Sequence, residues 1–145
     1  MFDEKWNVRF WSLAKEVAEW SKDPTTAVGA VIVSPTKSVL STGYNGFPPG
    51  VNDDVMDRYQ RPEKYYWTEH AERSAMYFAA ANGVSISGAG LYVTMFPCSD
   101  CARGIIRTGI VHVCAPPWQE GQWAESSQRA ARMLDEAGVQ VTYLL

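Results

Sequence analysis

The sequence predicts an α/β fold: a three-layer α/β/α sandwich on a five-stranded mixed sheet. Three observations predict it. An amphipathic helical pattern opens the chain and two adjacent strand-like runs follow it. After them, helix-like and strand-like segments alternate three times. The last two strands are separated by a helical crossover, which lets them run parallel by a right-handed connection, while the first two pair as a hairpin. At 145 residues and 16.1 kDa the chain is expected to form one domain, 1–145.

Each element has a local reason. Between Phe2 and Ser21, Trp6, Phe10, Leu13, Val17 and Trp20 recur at three- and four-residue spacing, with Lys5, Arg9, Lys15, Glu16 and Glu19 interspersed; this is one apolar helical stripe. Pro24 blocks its continuation. Ala27 to Val33 and Val39 to Tyr44 read as strands joined by the turn-forming pentad Ser34 to Ser38. From Asn45 to about Thr68 the chain is polar and rich in Gly, Pro and Asp, ending in Tyr65-Tyr66-Trp67. Structureless loops of that length are uncommon in compact domains and are often functional.

The Ala-rich run from Glu69 to Asn82 is a helix stopped by Gly83. Gly90 to Phe96 is a strand, Cys98 to Thr108 a short helix closed by Gly109, and Ile110 to Cys114 a strand. After Pro116-Pro117, Ser126 to Ala137 is a helix stopped by Gly138, and Val139 to Leu144 is the last strand. Trp6, Trp11 and Trp20 are expected in the core or at a subunit interface, and Trp118 and Trp123 in a loop.

Composition narrows the function. Hydrophobic residues make up 46% and charged residues 20%, which excludes a disordered chain. No apolar run approaches the roughly 18 residues of a membrane span, and the opening Met1-Phe2-Asp3-Glu4-Lys5-Trp6 is not patterned as a signal peptide. No membrane partner is expected. A net charge of -3 and a pI near 5.3 argue against a nucleic-acid polymer as partner, since such proteins usually present a basic surface. Cys98, Cys101 and Cys114 are too few for a disulfide scaffold, so a reducing, cytoplasmic setting is expected.

The chemistry lies in His70-Ala71-Glu72 and Pro97-Cys98-Ser99-Asp100-Cys101. His70 falls in the first turn of one predicted helix and both cysteines in the first turn of another, where the helix dipole favours thiolates. One imidazole and two thiolates suit zinc. Three protein ligands leave the fourth tetrahedral position free, which marks a catalytic rather than a structural site. Glu72 lies roughly 200° from His70 round the helix, yet a first helical turn projects several side chains into one mouth. A glutamate there can accept a proton from water and return it to substrate. A thioredoxin-like redox pair is the rival reading of Cys98 and Cys101, and it gives His70 and Glu72 no role.

These motifs resemble those of the zinc-dependent cytidine deaminase superfamily and, within it, the deoxycytidylate (dCMP) deaminases. Four stretches carry the resemblance: Ser21-Lys22-Asp23-Pro24-Thr25-Thr26 leading into Val28 to Val33; Gly43-Tyr44-Asn45-Gly46-Phe47-Pro48; His70-Ala71-Glu72; and Leu91-Tyr92-Val93-Thr94 through Pro97, Cys98 and Cys101 to Gly109-Ile110. Together they span about Ser21 to Val113. The zinc motif is common to the superfamily, and Gly43 to Pro48 looks specific for the dCMP deaminases.

The resemblance implies a cytidine deaminase-like fold, one zinc per subunit held by His70, Cys98 and Cys101, and hydrolytic deamination of dCMP to dUMP and ammonia with Glu72 as proton shuttle. It implies that Asn45 recognises the sugar; a turn residue before Gly46 is the structural alternative. Candidates for the phosphate are Lys22 with the backbone and hydroxyls of Thr25 and Thr26, or else Arg58, Arg61 and Lys64 from the long loop. Tyr65, Tyr66 and Trp67 are candidates for a wall against the base. It further implies a homo-oligomer, hexamer or smaller, with dCTP and dTTP as effectors.

The chain departs from the family pattern at Ser74, where Asn is common, and at Ala79-Ala80-Ala81, where some members carry a basic residue. His112 and Cys114 fall on one face of a strand, either as a second metal pair or as packed residues. The alternatives are a same-fold deaminase of another nucleobase, nucleoside or tRNA adenosine, and a zinc-stabilised binding module in which Glu72 is dispensable.

Overall fold

The computed structural model describes residues 1–144. Helix α1 runs Glu4–Ala18, begun by the Asp3 carboxylate, which accepts a hydrogen bond from the Trp6 amide at 3.0 Å. It ends before the expected Ser21. Glu19, Trp20 and Ser21 bond the carbonyls three residues back, and the Ser21 hydroxyl turns to the Asn45 carbonyl at 2.7 Å.

Strands β1 (Gly29–Val33) and β2 (Val39–Tyr44) form the expected antiparallel hairpin. β1 starts two residues later than the pattern suggested, because the Val28 amide is taken by the Asn45 side chain at 2.8 Å. The polar stretch after β2 is not structureless: it holds a 3₁₀ turn at Met56–Tyr59 and a short helix α2 at Lys64–Trp67. Helix α3 is Ala71–Ala81, followed by β3 at Gly90–Val93. The expected extension of β3 to Phe96 fails at Thr94, whose hydroxyl accepts from the Gly29 amide at 3.1 Å and closes the ladder. Helix α4 (Ser99–Arg107), β4 (His112–Ala115), α5 (Ala124–Glu136) and β5 (Gln140–Tyr143) complete the described chain, with α5 two residues longer at its start than expected.

The sheet order is β2-β1-β3-β4-β5. β1 is antiparallel to both β2 and β3, while β3, β4 and β5 run parallel. The sheet is therefore five-stranded and mixed, as the sequence predicts. β1, β3 and β4 are buried throughout because helices cover both faces. Phe10, Ala14 and Val17 of α1 pack on Val31, Val33 and Tyr92 on one face. Ala75, Ile105 and Leu134, from α3, α4 and α5, pack on Ile32, Leu91 and Val113 on the other. Trp6 stacks on Phe10 at 5.4 Å between ring centres, whereas Trp20 is half exposed.

Two glycines set the layer spacing. A Cβ on Gly29 would collide with the Ala14 carbonyl and Ala18 amide of α1. A Cβ on Gly43 would collide with the Ala71 carbonyl and Ala75 amide of α3. The second contact presses the start of α3 against the edge strand β2. β2, β3 and β4 point the same way, so the helices that follow them, α3, α4 and α5, all begin at one end of the sheet.

Candidate active site

At that end lies a cavity of about 280 Å³. His70 and Cys98 occupy the N-cap positions of α3 and α4, with extended backbone, rather than the first turns themselves. Cys101 and Glu72 do fall in first turns. Two helix starts thus deliver all four residues to one point. Cys98 Sγ lies 3.3 Å and Cys101 Sγ 3.5 Å from His70 Nδ1. Cys98, Cys101 and Glu72 are buried, and His70 is half-buried at the cavity wall.

This donor set fits zinc. All three ligand atoms lie within 4.8 Å of one another, and no further His, Cys, Asp or Glu joins the cluster among the described residues. Zinc–nitrogen and zinc–sulfur bonds of about 2.1 and 2.3 Å at a tetrahedral angle put ligand atoms about 3.6 Å apart, close to the spacings found. The thiols are already polarised. Hydrogen bonding from Cys101 and from His70 draws the Cys98 thiol down to about 4. The bond to Cys98 and burial push Cys101 upward, so the two share a proton that a metal would displace. The bond to Cys98 raises His70. Burial raises Glu72, partly opposed by the neighbouring imidazole.

The structure sorts the other candidates. Asn45 is buried at the cavity wall, where Oδ1 accepts from the Val28 amide at 2.8 Å and Nδ2 donates to the Thr26 carbonyl at 2.7 Å. One amide hydrogen and one acceptor lone pair remain for a ligand. The expectation for the Thr25 and Thr26 backbone is corrected: both amides already donate to Asp23 Oδ1, at 2.9 and 3.1 Å. Thr26 lines the cavity; the Thr25 hydroxyl is engaged by Asp23 and Lys64.

Lys22 is also displaced from its expected role, since it is exposed outside the cavity and paired with Asp53 at 2.9 Å and Asp54 at 3.5 Å. Arg58 is turned away as well, over the Trp67 ring at 3.9 Å. Of the aromatic trio only Tyr65 lines the cavity; Tyr66 is exposed and Trp67 packs towards Phe47.

The cavity wall also includes Trp123, Ser127, Arg73 and Thr68, which the sequence does not single out. Trp123 stands edge-on to the His70 ring at 5.6 Å and to Tyr65 at 6.4 Å. Ser127 lies one turn further along α5. Arg73 follows Glu72 and is held by Glu69 at 2.7 Å, a helical four-residue spacing that the sequence does display. Thr68 lines the cavity with a buried hydroxyl that has no partner. His112 and Cys114 form no second metal site among the described residues. They are buried on the α1 side, with His112 Nε2 2.8 Å from the Thr142 hydroxyl.

A family profile, the cytidine and deoxycytidylate deaminase zinc-binding region, matches residues 4–115. The chain belongs to this deaminase family. Zinc is the family's metal, and His70, Cys98 and Cys101 are its candidate site here. Relatives extend the likeness beyond the matched region. An uncharacterised deaminase of Aliivibrio fischeri is 43% identical over 97% of this chain and 94% of its own. The deoxycytidylate deaminase of Homo sapiens is 36% identical over 93% of this chain and 77% of its own. The fold matches that of the dCMP deaminase of cyanophage S-TIM5, solved with dCMP and dUMP, with a TM-score of 0.82 at 24% identity over 99% of this chain and 100% of that one. The three-layer expectation holds. Among the described residues no helix is long and apolar enough to cross a membrane.

Proposed function

We propose that this deaminase acts on dCMP, replacing the C4 amine of its cytosine with oxygen to give dUMP and ammonia. The observation that carries the reading is the buried Glu72 carboxyl beside the His70, Cys98 and Cys101 cluster in the cavity wall. Support for the nucleotide comes from human and Drosophila relatives named as certain or probable deoxycytidylate deaminases, which are 36 and 37% identical over 93% of this chain.

His70, Cys98 and Cys101 would hold zinc, which would supply the Lewis acidity that makes water nucleophilic near neutral pH. Glu72 would take a proton from the attacking water and pass it to N3 of the cytosine. A second transfer through the same carboxyl lets the amine leave as ammonia, so water supplies the new oxygen at C4 and the protons balance. Burial suits the task, because it raises the affinity of Glu72 for the proton it must hold briefly. Asn45 offers its remaining donor and acceptor to a sugar hydroxyl. Trp123 and Tyr65 supply apolar wall for the ring.

The same reading includes His70, Cys98 and Cys101 as the complete protein ligand set, a homo-oligomer, and dCTP and dTTP as effectors, within one domain spanning 1–145. Ammonia release from dCMP, CMP, deoxycytidine and dCTP, each with and without a zinc chelator, tests it. Rapid, chelator-sensitive turnover of dCMP is the expected result. Silence on dCMP, with and without dCTP as activator, would refute it.

A further inference from the structure

The cavity wall carries three cations, and two of them are spoken for. Lys64 is closed off by Asp23 at 2.8 Å. Arg73 is held by Glu69 at 2.7 Å and faces Asp100 at 3.7 Å. Arg61 makes no ion pair and no side-chain hydrogen bond among the described residues, and it is exposed at the cavity rim. The other cations near the site are diverted, Lys22 to Asp53 and Arg58 to the Asn52 carbonyl and the Trp67 ring. Of the three cations on the cavity wall, Arg61 at its rim is therefore the one without an ion pair among the described residues. A ligand that matches carries an anion at the end that reaches the rim.

We propose that Arg61 is the residue by which this cavity selects a 5′-phosphomonoester over the bare nucleoside, an inference that rests on the mononucleotide reading above. A guanidinium can grip two phosphate oxygens at once, and its charge is permanent. Arg61 is also well braced for the task. Lys64, three residues on, is pinned to Asp23, and its amide donates to the Gln60 carbonyl at 2.8 Å. The segment carrying Arg61 is thus fixed on both sides while its side chain stays free to meet the ligand.

The test compares wild type, Arg61→Ala and Arg61→Lys on dCMP and deoxycytidine, with calorimetric binding of dUMP and deoxyuridine as a readout independent of turnover. Arg61→Ala is expected to raise the KM for dCMP and weaken dUMP binding about 10- to 100-fold, the range for losing a charge-assisted contact. Deoxycytidine turnover and deoxyuridine binding stay at wild-type values, and Arg61→Lys recovers part of the loss. An Arg61→Ala protein that binds dUMP as tightly as wild type, or keeps its preference for dCMP over deoxycytidine, overturns the proposal and leaves the substrate reading standing. A wild type that binds dUMP through Arg61 yet does not deaminate dCMP overturns the substrate reading alone.

Discussion

The ion pair between Lys64 and Asp23 should behave unlike the other ion pairs of this protein. Its side chains are 9% and 2% exposed and 2.8 Å apart, against 57% and 43% for Lys22 and Asp53. Asp23 Oδ1 also accepts from the amides of Thr25 and Thr26 and from the Thr25 hydroxyl. Asp23→Ala leaves a buried ammonium without its counter-charge and frees the turn before β1. Removing one partner of a buried pair costs about 3–5 kcal/mol, a large share of the roughly 5–15 kcal/mol by which a domain is stable. Lys64→Met keeps the apolar stem and leaves Asp23 its three turn bonds, so it should cost less, about 2–3 kcal/mol.

The double variant strands neither charge and should cost less than the sum of the singles by about 2 kcal/mol. Urea unfolding, which leaves charge interactions unscreened, measures all four corners of the cycle. Lys22→Ala, outside the cavity, should leave the midpoint where it is. Burial pushes the Asp23 carboxyl up, but the bonds from Lys64, Thr25 and Thr26 outweigh it and hold it below its ordinary 3.8. Its contribution is therefore present above about pH 3.8 and lost as pH falls below that value. Single variants that add to the double within about 0.5 kcal/mol would refute the argument.

Glu72→Ala should slow turnover by about 10²–10⁴-fold while the protein keeps stoichiometric zinc by atomic absorption; near-normal rates would remove Glu72 from the chemistry. Cys98→Ala should lose zinc and activity together, and retained stoichiometric metal would mean that the ligand set is different. Gly43→Ala forces a methyl into the backbone of α3 at Ala71 and Ala75, so a loss of about 1–3 kcal/mol or more is expected in urea; an unchanged midpoint would show that α3 does not sit on β2 as described. Burial, with the nearby N-terminus, lowers His112 to about 4 from 6.5, so the unfolded chain takes up the extra proton as pH falls through that interval. Up to about 3 kcal/mol should drain away between pH 6.5 and 4, and His112→Gln should flatten that slope.

What the sequence disclosed about the site depended on how each residue is placed. His70, Glu72, Cys98 and Cys101 were legible because helix starts hold them, and a helix start is fixed by local pattern. Their convergence depends on the sheet: β1 lies between β2 and β3 and runs against both, so β2 and β3 point the same way and their following helices start at the same end, a pairing that no local pattern displays. The partners of Lys22, Thr25 and Arg58 are not legible for the opposite reason. A charge or an amide in a loop goes to whichever partner the loop brings near, and here Asp53, Asp23 and Trp67 arrived first. Trp123 lay out of reach because nothing in Pro116 to Trp123 has a period that would point the indole at His70.

The edge hairpin explains why Asn45 has a structural role at the cavity wall. β1 runs against β3, so the end at which β1 begins is the end at which β3 stops and α4 starts. The amide of Val28, just before β1, faces no strand partner there and would be orphaned in the wall of the cavity. Asn45, at the end of β2, supplies the acceptor and ties the Thr26 carbonyl with its other arm. A buried amide without a partner costs about 1–3 kcal/mol, so Asn45→Ala should destabilise the fold as well as any bound sugar. Asp at this position keeps the acceptor for Val28 but sets a charge against the Thr26 carbonyl, and should do no better. Equal stability of all three proteins in urea would mean that the side chain serves the ligand alone.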